Sequence, residues 1–211
     1  MKALTDASQL LCAGLLEGVS VLCAGESGPF GAEVARACSQ LGASVHEWDP
    51  AGEVTGFDVV CYDGAAAFAR AAGEREALDA CLELAWEVTR QTVAAPLLQE
   101  QAAHEVPGGA GDGVAPREEP PGAHPTRLVY IAPAAGSSAN ADAARAGLEN
   151  LARTLSIEWA RHGVTTVAIA PGGHIAASEV GALVAYLASP AGGYFSGCVL
   201  DLTGPAVSSP S

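Results

Sequence analysis

The chain has 211 residues, 49% of them hydrophobic and 16% charged, which suits one domain with a sizeable core and excludes a wholly disordered polymer. Ten Lys and Arg stand against 24 Asp and Glu, a formal net charge of -14. A surface that acidic repels phosphate backbones and anionic lipid heads, so neither nucleic acid nor a membrane surface is an expected partner.

An apolar run over 19–24 reads as a first strand, and it ends at Gly25, with Gly28 and Gly31 close behind. Val34, Ala37, Cys38 and Leu41 recur at helical spacing, so 31–41 is a predicted helix that Gly42 stops. A second short strand over 45–48 ends at Asp49. Strand, glycine-rich turn, helix and strand in that order open a parallel α/β sheet. The alternation continues with a strand over 57–62, a long helix over 74–101 and a strand over 127–132. A second long helix over 140–162, a strand over 164–169, a helix over 179–188 and a last strand over 198–202 complete it. Parallel strands need crossover helices, so the expected fold is a Rossmann-like, doubly wound parallel sheet flanked by helices, in a single domain over 15–204. Residues 1–14 read as an N-terminal extension and 205–211 as a tail. Residues 104–126, rich in Gly, Pro and acid, read as a flexible insertion rather than a lid.

Cys12, Cys23, Cys38, Cys61, Cys81 and Cys198 show no CxxC or metal-ligand spacing and mostly sit in apolar runs. They read as reduced cysteines of a cytoplasmic protein, with no metal site. No apolar run reaches the ~20 residues of a bilayer span. Asp6 and Glu17 interrupt the stretch that a secretory signal would need.

A glycine-rich turn after the first strand lets backbone N–H groups approach a dinucleotide pyrophosphate at a helix N-terminus. Gly25, Gly28, Gly31 and Asp49 are the candidate cofactor-binding residues, Asp49 as the carboxylate for the ribose hydroxyls or as an ordinary strand-end turn residue before Pro50. Glu26 places a negative charge where the phosphates would lie, and Pro29 removes an N–H. No cofactor is therefore expected, and NAD if any is bound.

Taken together, the motifs resemble the short-chain dehydrogenase/reductase family over residues 15–204. Leu16-Glu17-Gly18 leads into the first strand, and the turn resembles TGxxxGxG with Gly25 and Gly31 kept. Phe57-Asp58-Val59-Val60 resembles the strand before the family's NNAG, which here reads Tyr62-Asp63-Gly64-Ala65. Ala146-Gly147-Leu148 through Leu155, Glu158, Trp159 and Ala160, followed by His162-Gly163-Val164, resembles the catalytic helix and the turn after it. Ala170-Pro171-Gly172, Leu187-Ala188-Ser189-Pro190 and Phe195-Ser196-Gly197 resemble the PG, LAS and (I/F)TG signatures.

The resemblance implies a Ser, a Tyr-x-x-x-Lys pair and an Asn as the catalytic set, with Tyr as general acid/base. The corresponding positions here are Pro133, Ala141 with Arg145, and Glu83. Ala141 has no proton to give, Pro133 has no hydroxyl, and Arg145 stays protonated at any working pH. Ser137, Ser138, Tyr130 and His174 are nearby groups that do not restore a Tyr–Lys couple at helical spacing. The segment between Gly172 and the helix at 179 is too short for the family's substrate-binding lid. In the family, helices at the positions of 74–101 and 140–162, and the C-terminal helix and strand, form subunit interfaces. Trp86 and Trp159 are large anchors for such a contact or for the chain's own core. The expectation is a non-catalytic subunit that pairs through these elements with an active paralogue. The alternatives are an NAD(P)-dependent oxidoreductase acting on a hydroxy or keto substrate, and a nucleotide or small-ligand binder without turnover.

Overall fold

The computed structural model describes residues 11–25, 28–52, 56–104 and 127–204. Glu26, Ser27, most of the predicted insertion and the tail lie outside the described residues.

Six parallel strands form one sheet in the order β2-β1-β3-β4-β5-β6. They are β1 (Ser20–Ala24), β2 (Ser44–Glu47), β3 (Val59–Asp63), β4 (Arg127–Ile131), β5 (Thr165–Pro171) and β6 (Cys198–Leu202). The central strands β3 and β4 are buried at every position, which is why they read as unbroken apolar runs rather than alternating ones. Alternate residues still go to opposite faces. Val59, Cys61, Val129, Ile131, Val167 and Ile169 join a core with the helices α1 (Pro29–Gln40) and α6 (Ala177–Ala188). Val60, Tyr62, Leu128, Tyr130 and Ala168 join a second core with α3 (Glu74–Thr89) and α5 (Ala139–Glu158). The result is three layers with helices on both faces, the doubly wound architecture expected. Leu148 of α5 and Leu187 of α6 are both fully buried. Each contributes roughly 1.5–3 kcal/mol by leaving water.

Three local differences from the sequence reading have physical causes. A short helix, α2 (Gly64–Arg70), follows β3 directly, started by the Asp63 side chain accepting the Ala66 N–H at 3.0 Å. The helix predicted over 74–101 is α3, a π-helical turn over Arg90–Ala94, and α4 (Ala95–His104). Pro96 has no N–H and its ring crowds the carbonyl four residues back, and the widened turn bonds the Ala95 N–H to the Arg90 carbonyl instead. The helix predicted over 140–162 ends at Glu158, where a 3-10 turn over Ala160–His162 and Gly163 at φ 72 reverse the chain.

Candidate functional site

The chain passes from β1 outward to β2 and then returns across β1 to β3, so the crevice outside the C-terminal ends of β1 and β3 is the topological switch point. A cavity of about 490 Å³ lies there, its wall including Cys23, Gly31, Glu47, Trp48, Asp63 and Arg70.

Gly31 lines this cavity, and Gly25, Gly28 and Pro29 have defined tasks. Gly25 has φ +102, and a Cβ there would sit 2.6 Å from the Asp63 carbonyl oxygen. Gly28 precedes α1, and a Cβ there would come within 2.4 Å of the Ala66 Cβ and 2.8 Å of Asp63 Oδ2. Pro29 takes the first helical position, where its missing N–H costs no intrahelical bond. These residues let the start of α2 and the end of β3 close directly onto the start of α1.

Asp63 occupies the space so made. Oδ2 accepts the Gly31 N–H of α1 at 2.9 Å, and Oδ1 accepts the Ala66 N–H of α2 at 3.0 Å. One carboxylate, 2% exposed, therefore caps two helices. Burial pushes its carboxyl pKa up, and the backbone N–H donors partly oppose that. Burial, with Glu47 and Asp63 nearby, pushes the Cys23 thiol up to about 12, so it is no thiolate nucleophile at neutral pH. All six cysteines are free. Sequence reasoning placed Tyr62-Asp63 at a family motif without giving Asp63 a task. The readable signal was an Asp at a strand end directly before a run of small residues.

Of the predicted cofactor residues, Gly31 lines the cavity, while Gly25 and Gly28 lie against Asp63 and Ala66. Asp49 is exposed, and its Oδ1 accepts the Ala51 N–H at 2.9 Å in a local turn. From this stretch the cavity wall takes Glu47, Trp48 and Pro50 instead.

The positions matched to catalysis lie at and beyond the end of β4. Ala141 and Pro133 are buried, and the Ala141 N–H is capped by Ser138 Oγ at 3.2 Å. Arg145 is held by ion pairs: Nε to Glu149 at 3.0 Å and one Nη to Asp201 of β6 at 3.3 Å. It fastens α5 to the last strand. Glu83 is exposed on α3. Ser137 Oγ donates to the Ala134 carbonyl at 3.0 Å. Tyr130 is buried, and its hydroxyl lies 2.7 Å from Thr89 Oγ1, which itself donates to the Ala85 carbonyl, so the tyrosine proton is spent on Thr89. Burial pushes the Tyr130 pKa further up. His174 is exposed. Among the described residues, no group of three or more His, Cys, Asp or Glu could hold a metal ion, and no helix is long and apolar enough to cross a membrane.

The sequence matches no protein-family model and no curated protein. Solved structures do share the architecture. AtuB, a citronellol catabolism dehydrogenase of Pseudomonas aeruginosa PAO1, is 19% identical with a TM-score of 0.63, over 92% of this chain and 96% of that one. RhlG of Pseudomonas aeruginosa, in an NADP active-site complex, is 16% identical with a TM-score of 0.61, over 92% and 99%. The NADH-dependent reductase A1-R', complexed with NAD, is 14% identical with a TM-score of 0.60, over 90% and 98%. The chain has the fold of these reductases. A dinucleotide in this fold sets its pyrophosphate against the N-terminus of the first helix. In the first turn of α1, Pro29 has no N–H, the Gly31 N–H goes to Asp63 and the Ala32 N–H to the Gly28 carbonyl at 3.0 Å. At most the Phe30 N–H remains, beside an acidic group, so these residues do not fit a diphosphate.

Proposed function

We propose that this chain is a non-catalytic subunit of the short-chain dehydrogenase/reductase type. It assembles with a catalytically active subunit of the same type and supports or shapes that subunit's activity. The observation that carries this reading is the fate of Arg145. At the position matched to the catalytic lysine stands a cation committed to Glu149 and Asp201, four residues from a buried alanine methyl at the position matched to the tyrosine. General acid catalysis needs a proton donor within reach of substrate. Here the Ser137 and Tyr130 hydroxyls donate within the chain, and the Ser138 hydroxyl accepts the Ala141 N–H as a helix cap.

The assembly part of the proposal draws on the helices around the second core. Trp86 on α3 is 48% exposed and Ile157 on α5 is 80% exposed, large apolar groups of the kind that anchor interfaces. Trp159, by contrast, packs against the chain's own core. The cavity at the switch point supports, as the second reading, binding of a small ligand without turnover.

A tagged pull-down from the native host, with mass spectrometry and a reductase assay on the eluate, tests the proposal. A stoichiometric partner of the same fold that carries Tyr-x-x-x-Lys is the expected result. Its loss on Trp86→Glu with Ile157→Glu would locate the contact. Recovery of a homo-oligomer alone, or hydride transfer by the purified chain, overturns it.

A further inference from the structure

We infer that Asp63 is a built-in occupant of the anion position at the N-terminus of α1, and that it bars dinucleotides from this chain. The inference goes beyond the proposed assembly role and does not rest on it.

Three observations carry it. The carboxylate is 2% exposed and takes one backbone N–H from each of two helices, so it is a fixed cap rather than a surface group that could swing aside. The bond at 2.9 Å to Gly31 uses a donor of a residue that lines the cavity, as Asp63 does too. Gly28 has no side chain, and a Cβ there would stand 2.8 Å from Asp63 Oδ2, so the turn is shaped around the carboxylate. Charge points the same way. A helix N-terminus favours one anion, and that anion is already supplied by the chain. A diphosphate entering beside it would meet a like charge at close range with Glu47 in the same wall, against one lining cation, Arg70. Displacing Asp63 would uncap both α1 and α2.

The full-length protein and two variants, Asp63→Asn and Asp63→Ser, are titrated by calorimetry with NAD+, NADH, ADP and inorganic pyrophosphate, after a thermal melt has established that each is folded. Serine keeps an oxygen for the Ala66 N–H while withdrawing from Gly31. The wild type is expected not to saturate with any of the four. The folded variants are expected to gain affinity for ADP on the order of a hundredfold from removal of the like charge. The inference is overturned if the wild type saturates with NAD+ or NADH at micromolar concentration, a result that decides even if both variants unfold. It also falls if folded variants bind ADP no better than the wild type. Dinucleotide binding without hydride transfer would remove this inference and leave the non-catalytic reading standing; hydride transfer would remove the latter.

Discussion

Two carboxylates at the C-terminal edge of the sheet sit in opposite surroundings. Asp63, at the end of β3, is buried, touches no cation in its hydrogen bonds and is held by backbone N–H groups of two helices. Asp201, on β6, is half exposed and held by Thr203 and by Arg145. The first lines the cavity at the switch point. The second ties down the arginine that stands where the fold's catalytic helix would carry a lysine. One carboxylate thus serves helix capping and the other ion pairing. The capped end should tolerate substitution far less, because its neighbours are backbone and methyl groups that cannot move away.

Gly28→Val tests that asymmetry most severely. Gly28 has φ -87, a conformation any residue adopts, so the cost comes from contact alone. Its new side chain would run into the Ala66 Cβ and the Asp63 carboxylate. A loss of about 3 kcal/mol in urea unfolding is expected, the upper range for overpacking. Gly173→Ala is the control, since a Cβ there meets nothing within 4 Å. If Gly28→Val were as mild as the control, the close fit of α1 and α2 around Asp63 would be wrong.

At the other end, Arg145→Met keeps the stem but leaves Glu149 with only Arg153 at 3.8 Å. A loss of about 1–2 kcal/mol is expected. Part of it is offset because Arg145 Nη1 is buried without a partner and its removal relieves that. Arg145→Lys should recover less than half, because a single ammonium cannot span both Glu149 and Asp201. Equal stability of the wild type and the Met variant, read from the urea midpoints, would show that the ion pairs contribute nothing.

The layout of this site was legible in the sequence only where the signals are local. The six strands were marked within a residue or two, and helical spacing marked α1, α3, α5 and α6; the signal is strongest in the inner strands, because parallel strands covered on both faces need mostly apolar residues. The π-helical turn was not legible: Pro96 announces an irregularity but not its kind. Asp63 was missed for a different reason. Its bond to Gly31 joins residues 32 apart, and it exists only because β3 is laid beside β1. Arg145 was read at a family position from local motifs, and its engagement by Asp201 depends on β6 reaching the sheet edge next to β5. Local pattern names the residues of such a site, and tertiary pairing decides what they do.

The smallest expected effect separates the two carboxylates by the sign of their pH dependence. The carboxyl of Asp201 is held below its ordinary 3.8 by hydrogen bonds from Thr203 and then by Arg145. Its contribution to stability is present above 3.8 and lost as pH falls through the folded value. The carboxyl of Asp63 is raised above 3.8 by burial, so its charge weighs on the folded state at neutral pH, and that penalty is relieved as pH falls through the raised value. Relative to Asp201→Asn, the wild type should therefore lose stability on acidification. Relative to Asp63→Asn it should gain. The two windows lie on opposite sides of 3.8, the Asp63 change above and the Asp201 change below. Urea unfolding of the three proteins across that range reads both slopes. Slopes of the same sign would mean that the N–H donors on Asp63 outweigh its burial, and that the two ends of the site differ in geometry but not in electrostatics.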